Sequence, residues 1–342
     1  MGDALGAPIE FASWPEIRAQ HGDRGVTEIL PPGHFTDDTQ MTLFTCEGLI
    51  AAALESGDRA VNDPTLALYR SYLHWMVTQG YEWGCLVDES SGPPMGWLVR
   101  EQRLHCRESP GGTCLMALRS GDCGSIEYRL NDSKGCGGVM RASPAGIVGA
   151  SDADGDLAGS YERGCELAAI THGHDLGIHS AGLFAAIISC LLGGAVVVEA
   201  VEMSLELTTP EMRAVVARAL LLGREGVPSP DTIEREIGGG WVGEEAIAIA
   251  IACAVGAANF EEGVVAAANH SGDSDSTGSI CGNLLGTRFG DESIPKRWTD
   301  AVDAIDIVER VADDVTMLVT RTSRSSGAGR TDNDHLIERY TT

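Results

Sequence analysis

The chain has 342 residues, 43% of them hydrophobic and only 5% aromatic, which supplies core for one large domain or two ordinary ones and leaves no charged tract long enough to imply disorder. Fifty acidic against 24 basic residues give a formal charge of −26, which argues against the basic surface that a general nucleic-acid binder needs. A soluble protein that carries cations in its site fits that balance.

The chain begins abruptly with "MGDALGAPIEF", with no preceding helix or cap, so an upstream element is expected to lie outside this sequence. From Thr36, "TDDTQMTLFTCEGLIAAALES" places Met41, Phe44, Leu49, Ala52 and Ala53 on one helical face. "DPTLALYRSYLHWMVTQG" predicts a second helix, with Asp63 as its cap and Pro64 at its first position. Residues 84–134 read as irregular, and Thr113 is expected to cap a short helix over "CLMALRS". Helical texture resumes at "LAGSYERGCELAAITHGHDLGIHSAGLFAAIIS". The run "AGLFAAIISCLLGGAVVV" predicts a core helix, a break at Gly193-Gly194 and a second helix, not a membrane span. "AIAIAIACAV" alternates like a strand, but its alanines and its neighbours favour helix. "DAVDAIDIVERVADDVTMLV" predicts a further helix and "TSRSSGAGRTDND" a loop or frayed tail. The sum is an all-α protein, one domain over residues 1–321 followed by a loop and C-terminal tail over 322–342. Ten cysteines without a C-x-x-C pair predict reduced thiols in a cytoplasmic protein.

Two acidic stretches stand far apart, "FTDDTQMTL" and "GDSDSTG". The second fails as an EF-hand loop, because Leu284 occupies the twelfth position where a bidentate Glu is needed. It is weak as an aspartyl-nucleophile phosphatase motif, which needs a β-strand where "VVAAANHSG" reads as helix. The first lacks the third acid of a D-D-x-x-D motif, since Met41 stands there. What remains is to join them. Helix N-termini tolerate carboxylates, because unpaired N–H groups and the helix dipole favour negative charge. Two such ends brought together would be repulsive unless hard divalent cations, Mg²⁺ or Mn²⁺, neutralise them. Two acidic caps without metal explain the composition equally well. Gly278, Gly282 and Gly286, each costing ~1 kcal/mol relative to Ala in a helix, predict a face pressed against another backbone.

The strings "GDALGAPIEF", "FTDDTQMTL", "SKGCGGVMRASPAG", "THGHDLGIHSAG" and "GDSDSTGSICGNLLG" come in the order found in the ADP-ribosylglycohydrolase family, which the chain resembles over about residues 2–290. The resemblance implies an all-helical fold with a binuclear Mg²⁺ or Mn²⁺ site that holds the ribose of ADP-ribose. It assigns metal ligation to Thr36, Asp37, Asp38, Asp273, Asp275 and Ser276, and a ligand-lining role to Asp3, to Ser133, Lys134, Gly135, Cys136, Gly137, Gly138 and Met140, and to His172. Cys136 stands where some members carry Asn, and Ser276 where many carry Thr. Consecutive glycines also suit a pyrophosphate, because backbone N–H groups can approach it closely. A tight interhelical loop is the plainer reading of "GCGG", a structural ion pair that of Arg141, and a satisfied helix-start cluster that of His172, His174 and His179. His34 and His270 flank the acidic motifs as supporting donors.

The expected activity is metal-dependent removal of ADP-ribose from a modified target, with an arginine linkage favoured and with no general nucleic-acid or membrane partner. Asp273 or Glu10 would handle the proton, beside Asp38 in the catalytic set. A hydrolase of another ADP-ribosyl linkage or of free ADP-ribose derivatives, a pyrophosphate-cutting hydrolase that releases AMP, and a non-catalytic ADP-ribose-binding relative stay open.

Overall fold

The computed structural model describes residues 1–56, 63–88, 90, 92–151, 156–322 and 330–341. The alanine- and leucine-rich runs fold as helices, and the one β-type pairing among the described residues is an isolated bridge between Gly135 and Val242. Helix α1 (Gly2–Gly6) is a single buried turn. Helix α2 (Trp14–His21) is opened by a capping box in which Glu16 accepts from the Ser13 backbone N–H at 2.9 Å. Helices α3 (Asp37–Ser56) and α4 (Thr65–Thr78) pack together, and α5 (Gly112–Arg119) stands alone in the irregular segment between α4 and α6 (Ser143–Ala150). Then come α7 (Leu157–Ala169), α8 (Asp175–Leu192), α9 (Val197–Ser204), α10 (Pro210–Arg224), α11 (Pro230–Glu236), α12 (Gly243–Gly256), α13 (Phe260–Ala268), α14 (Ser274–Phe289), α15 (Lys296–Thr299), α16 (Ile305–Thr322) and α17 (Arg330–Thr341).

Helix α8 is the centre of the core. It packs on α6, α7, α9, α12 and α14, and its residues from Ser180 to Leu191 are all buried. By length and composition it could cross a membrane, but 78% of it is buried inside the protein. A helix apolar on every side belongs in a core as readily as in a bilayer, and here protein covers it. The expected break falls at Gly193-Gly194, and α9 follows. The alternating "AIAIAIACAV" forms α12, whose residues Ala246–Ala254 are all buried, so the alternation reflects burial on both sides and not a strand.

Three local expectations are corrected. Pro64 is the cap residue of α4 and Thr65 its first helical residue; Asp63 still serves by accepting from the Thr65 N–H at 2.9 Å. Thr113 lies inside α5, which Gly111 caps, and the Thr113 hydroxyl instead meets that of Ser133 at 3.0 Å. The expected tail over 322–342 contains α17; residues 323–329 and 342 lie outside those described. Leu336 and Tyr340, one turn apart, are buried, and the Tyr340 hydroxyl donates to Asp314 of α16 at 2.8 Å, which Arg339 also pairs. That apolar pair docks the segment onto α3 and α16.

Candidate active site

The site begins with a backbone contact. A Cβ on Gly6 would lie 2.3 Å from the Ser274 carbonyl oxygen, and one on Gly2 1.9 Å from that of Gly278. Only glycine lets α1 lie this close to the start of α14. The close approach expected of three glycines therefore exists at Gly278 alone: Cβ atoms on Gly282 and Gly286 would find their nearest neighbours at an ordinary 3.7 Å.

Docked there, α1 delivers Asp3 to the start of α3. The Asp3 carboxylate accepts from the Thr36 N–H at 2.9 Å, the Thr39 N–H at 3.0 Å and the Thr39 hydroxyl at 2.5 Å. Asp3, expected to line the ligand, is seen here to cap α3 from a remote segment, satisfying donors that α3 leaves unpaired. The next turn carries Glu10 to the start of α14. Glu10, Asp273 and Asp275 are all buried, and each can place an oxygen within 4.8 Å of the others. Asp38 joins them through Ser276, whose hydroxyl donates to Asp38 Oδ2 at 3.2 Å; Thr36 Oγ1 lies 3.5 Å from the same oxygen. Asp37 accepts from the Gly111 N–H at 2.9 Å, and its own N–H donates to the Glu108 carbonyl. The two acidic helix ends thus meet, with all six residues of the expected metal set gathered together.

Crowding shows in the acidities. Burial, then repulsion from Asp275, raises Glu10 to about 7. Burial, then Asp3, raises Asp275 to about 6. Burial, reinforced by Asp275, holds Asp37, Asp38 and Asp273 well above the carboxylate range. Glu10 Oε2, Asp38 Oδ1 and Asp275 Oδ1 are buried without a hydrogen-bond partner. Buried carboxylate oxygens without a donor are the kind of hard ligand that a divalent cation takes.

The glycine-rich segment reaches the cluster at one point. The Cys136 thiol donates to Asp273 Oδ2 at 2.8 Å and lies 3.7 Å from Ser276 Oγ, so its place is against the carboxylates. Gly135 and Gly137 turn over His172, whose Nε2 would lie 3.4 Å from a Cβ on either, and Gly138 packs on Ala168. Burial and Arg141 press the His172 pKa down to about 3, so the ring is neutral and shapes the floor of the loop. Met140 is packed in the core, and the Lys134 ammonium pairs with Glu244. Among the described residues Arg141 forms no ion pair: it is fully buried over the Tyr72 ring at 4.2 Å and donates to Thr171 at 2.7 Å. Ser133 connects the loop to a cavity of about 480 Å³ that Thr113, Tyr128, Arg129 and Asn131 also line. Of the other histidines, His174 caps α8, His179 meets the Tyr161 hydroxyl, His270 meets Thr277, and His34 pairs with exposed Asp303 away from the carboxylates.

Two segments border the site that the sequence reading did not place there, the first of them read only as part of the irregular region 84–134. The turn at 108–111 closes over Asp37, with Ser109 held at φ 48°, a left-handed conformation that costs a non-glycine residue energy. Gly238–Trp241 supports the other side: the Gly239 carbonyl accepts from the Asp273 N–H at 2.8 Å, and Trp241 stacks on exposed Phe11 beside Glu10. Three consecutive glycines before a tryptophan were the available signal.

The profile of the ADP-ribosylglycohydrolase family matches residues 1–325. The chain is 23% identical over 319 residues to ADP-ribosylarginine hydrolase Tri1 of Pseudomonas putida (strain GB-1), covering 92% of this chain and 75% of that protein. It is 24% identical over 314 residues to the ADP-ribosyl-(dinitrogen reductase) glycohydrolase of Rhodospirillum rubrum, covering 89% and 87%. A solved structure titled ADP-ribosylglycohydrolase-related protein complex shares the fold with a TM-score of 0.61 at 24% identity, over 94% of each chain.

Proposed function

The chain belongs to the ADP-ribosylglycohydrolase family and is a hydrolase of that class; from that premise we propose that it is a divalent-metal-dependent enzyme that releases ADP-ribose from an arginine side chain of a modified protein. The observation that carries the reading is the buried meeting of Glu10, Asp273 and Asp275 with Asp37 and Asp38, several of whose oxygens have no donor. Thr36, Asp37, Asp38, Asp273, Asp275 and Ser276 would hold two Mg²⁺ or Mn²⁺ ions, which supply charge stabilisation and fix the ribose hydroxyls.

The chain's own groups do the rest. The cavity beside Ser133 receives the nucleotide end, and the glycine turn over His172 lets backbone approach the pyrophosphate. Glu10 stands on a segment separate from Asp273 and Asp275 and keeps Oε2 free, so it is the carboxylate assigned to take the proton from the attacking water. The water oxygen bonds to the anomeric carbon, the carbon–nitrogen bond breaks with its electron pair going to the guanidine, and the proton that Glu10 took from the water passes on to that nitrogen, so the product leaves as guanidinium. The net charge of −26 favours that cationic leaving group, and the Pseudomonas putida relative is named for the arginine linkage.

The test is turnover of matched peptides carrying arginine- or serine-linked ADP-ribose, and of an ADP-ribosylated nucleic acid, with and without chelator. Arginine-linked peptide should show the highest kcat/KM, yield free ADP-ribose and need Mg²⁺ or Mn²⁺. Faster release from serine or nucleic acid overturns the linkage, AMP as product overturns the bond assigned, and full activity after chelation overturns the metal role.

A further inference from the structure

We propose that Cys136 is a metal ligand of this site, so that one of the bound ions sees a sulfur beside its oxygens and the site prefers thiophilic divalent ions over Mg²⁺. The inference rests on the metal reading above and goes beyond the six oxygen donors.

Placement is the first reason. Two ligands of one ion, each at roughly 2.0–2.3 Å from it, stand about 3 to 3.5 Å apart. Cys136 Sγ lies 2.8 Å from Asp273 Oδ2 and 3.7 Å from Ser276 Oγ, which bracket that separation. The thiol therefore stands at a ligand's spacing from two of the groups assigned above to hold the ions.

Unmet need is the second. Asp38 Oδ1 and Asp275 Oδ1 are buried without a partner, on residues that are 2% exposed. The other oxygen of Asp38 is bridged by Ser276 to the same thiol. The sulfur thus shares the Ser276 hydroxyl with Asp38, whose second oxygen lacks a donor. In the metal-free protein the thiol satisfies Asp273 by donating to it; on binding, that proton leaves to solvent and both Asp273 Oδ2 and Sγ turn to the cation.

Rigidity is the third. The Cys136 N–H donates to the Trp241 carbonyl at 3.3 Å, and the Cys136 carbonyl accepts from Val139 at 2.9 Å and Met140 at 3.1 Å. With the backbone pinned on both sides, the side chain is presented to the carboxylates and needs no rearrangement of the loop. Sulfur binds Mn²⁺ better than Mg²⁺, and Co²⁺, Zn²⁺ and Cd²⁺ better still, whereas an Asn oxygen would not discriminate in this way.

The experiment uses the full chain, stripped by chelation and titrated with Co²⁺ or Cd²⁺ alone. A sulfur-to-metal charge-transfer band is expected, retained in Cys85→Ser and lost in Cys136→Ser and Cys136→Asn, with circular dichroism showing that each variant keeps its helices. In the unaltered chain, saturating Cd²⁺ should block iodoacetamide labelling of Cys136 while exposed Cys85 still reacts, which tests the idea even where a variant fails to fold. Direct competition should show the Cd²⁺ preference over Mg²⁺ falling in Cys136→Asn. Metal binding without a sulfur band, a band that survives in Cys136→Ser, or Cys136 that labels equally with metal bound overturns the proposal and leaves the oxygen-liganded site standing. Failure to bind any divalent ion overturns both.

Discussion

The two acidic helix starts look alike in sequence and differ in how they are held. At the start of α3, Asp3 accepts from two backbone N–H groups and the Thr39 hydroxyl, and the turn at 108–111 ties Asp37 at both its N–H and its carboxylate. At the start of α14, no side chain caps the helix, Asp275 keeps an unpartnered oxygen, and Asp273 holds only a thiol and close carboxylates. One end is braced through its backbone and the other lies open, although each keeps one buried carboxylate oxygen without a partner, Asp38 Oδ1 and Asp275 Oδ1. On the metal reading proposed above, the braced end would fix geometry and the open end would supply much of the affinity for a cation.

The largest effect should come from the open end. Asp275→Asn removes a carboxylate of the cluster, and its loss should exceed the ~10–100-fold that losing a supporting partner costs a metal site. Without metal the same variant should melt higher than the unaltered chain, because a crowded buried charge is gone. Calorimetric titration with Mn²⁺ and melting with chelator measure the two. A lower metal-free Tm would mean that Asp275 is a structural cap and would erase the contrast.

Asp3→Asn attacks the braced end. Metal affinity should fall ~10–100-fold through misplacement of Asp37 and Asp38. Stability should fall as well, by about 1–3 kcal/mol, because buried N–H groups lose their acceptor. Opposite signs of ΔTm for Asp3→Asn and Asp275→Asn are the signature sought.

The hinge between the two ends is the glycine contact. Gly6→Ala should cost about 1–3 kcal/mol, since a methyl 2.3 Å from the Ser274 oxygen must displace α1. Gly286→Ala has room, 3.7 Å to Phe260, and should stabilise the helix by up to ~1 kcal/mol. Denaturant melts of the pair decide it; equal losses would show that α1 does not dock through Gly6.

The smallest effect is titration. Glu10 is raised from 4.5 to about 7 and Asp275 from 3.8 to about 6. A carboxylate whose folded pKa is raised binds its proton more tightly when folded, so its stabilisation is full below about pH 4 and is lost as pH rises through about 6 to 7. The metal-free protein should therefore lose a few degrees of Tm between about pH 4.5 and 7. Saturating metal should remove that decline, because the ions favour the ionised forms. A Tm that rises over this window in chelator would break the account.

Much of the fold was legible because helices announce themselves locally. The period of "TDDTQMTLFTCEGL", the alanines of "AIAIAIACAV" and the Gly193-Gly194 break need no partner to be read, and each folds as expected. The docking of α17 was not legible, since Leu336 and Tyr340 make a thin apolar pair in a polar segment, and only the α16 and α3 surfaces give it a place.

For the site, the sequence by itself determined the donors: two acidic helix starts, a glycine turn and an early Glu, residue types whose chemistry is local. Tertiary structure alone decided their roles, because roles depend on distances across the chain. It set Asp3 as a cap of α3, seated Met140 in the core and paired Lys134 with Glu244. It left Gly282 and Gly286 without a close neighbour, laid Arg141 over Tyr72, and set the Cys136 sulfur against Asp273, 137 residues away in the chain. Periodicity and capping act within a few residues, whereas burial and charge crowding arise only when remote segments share one volume.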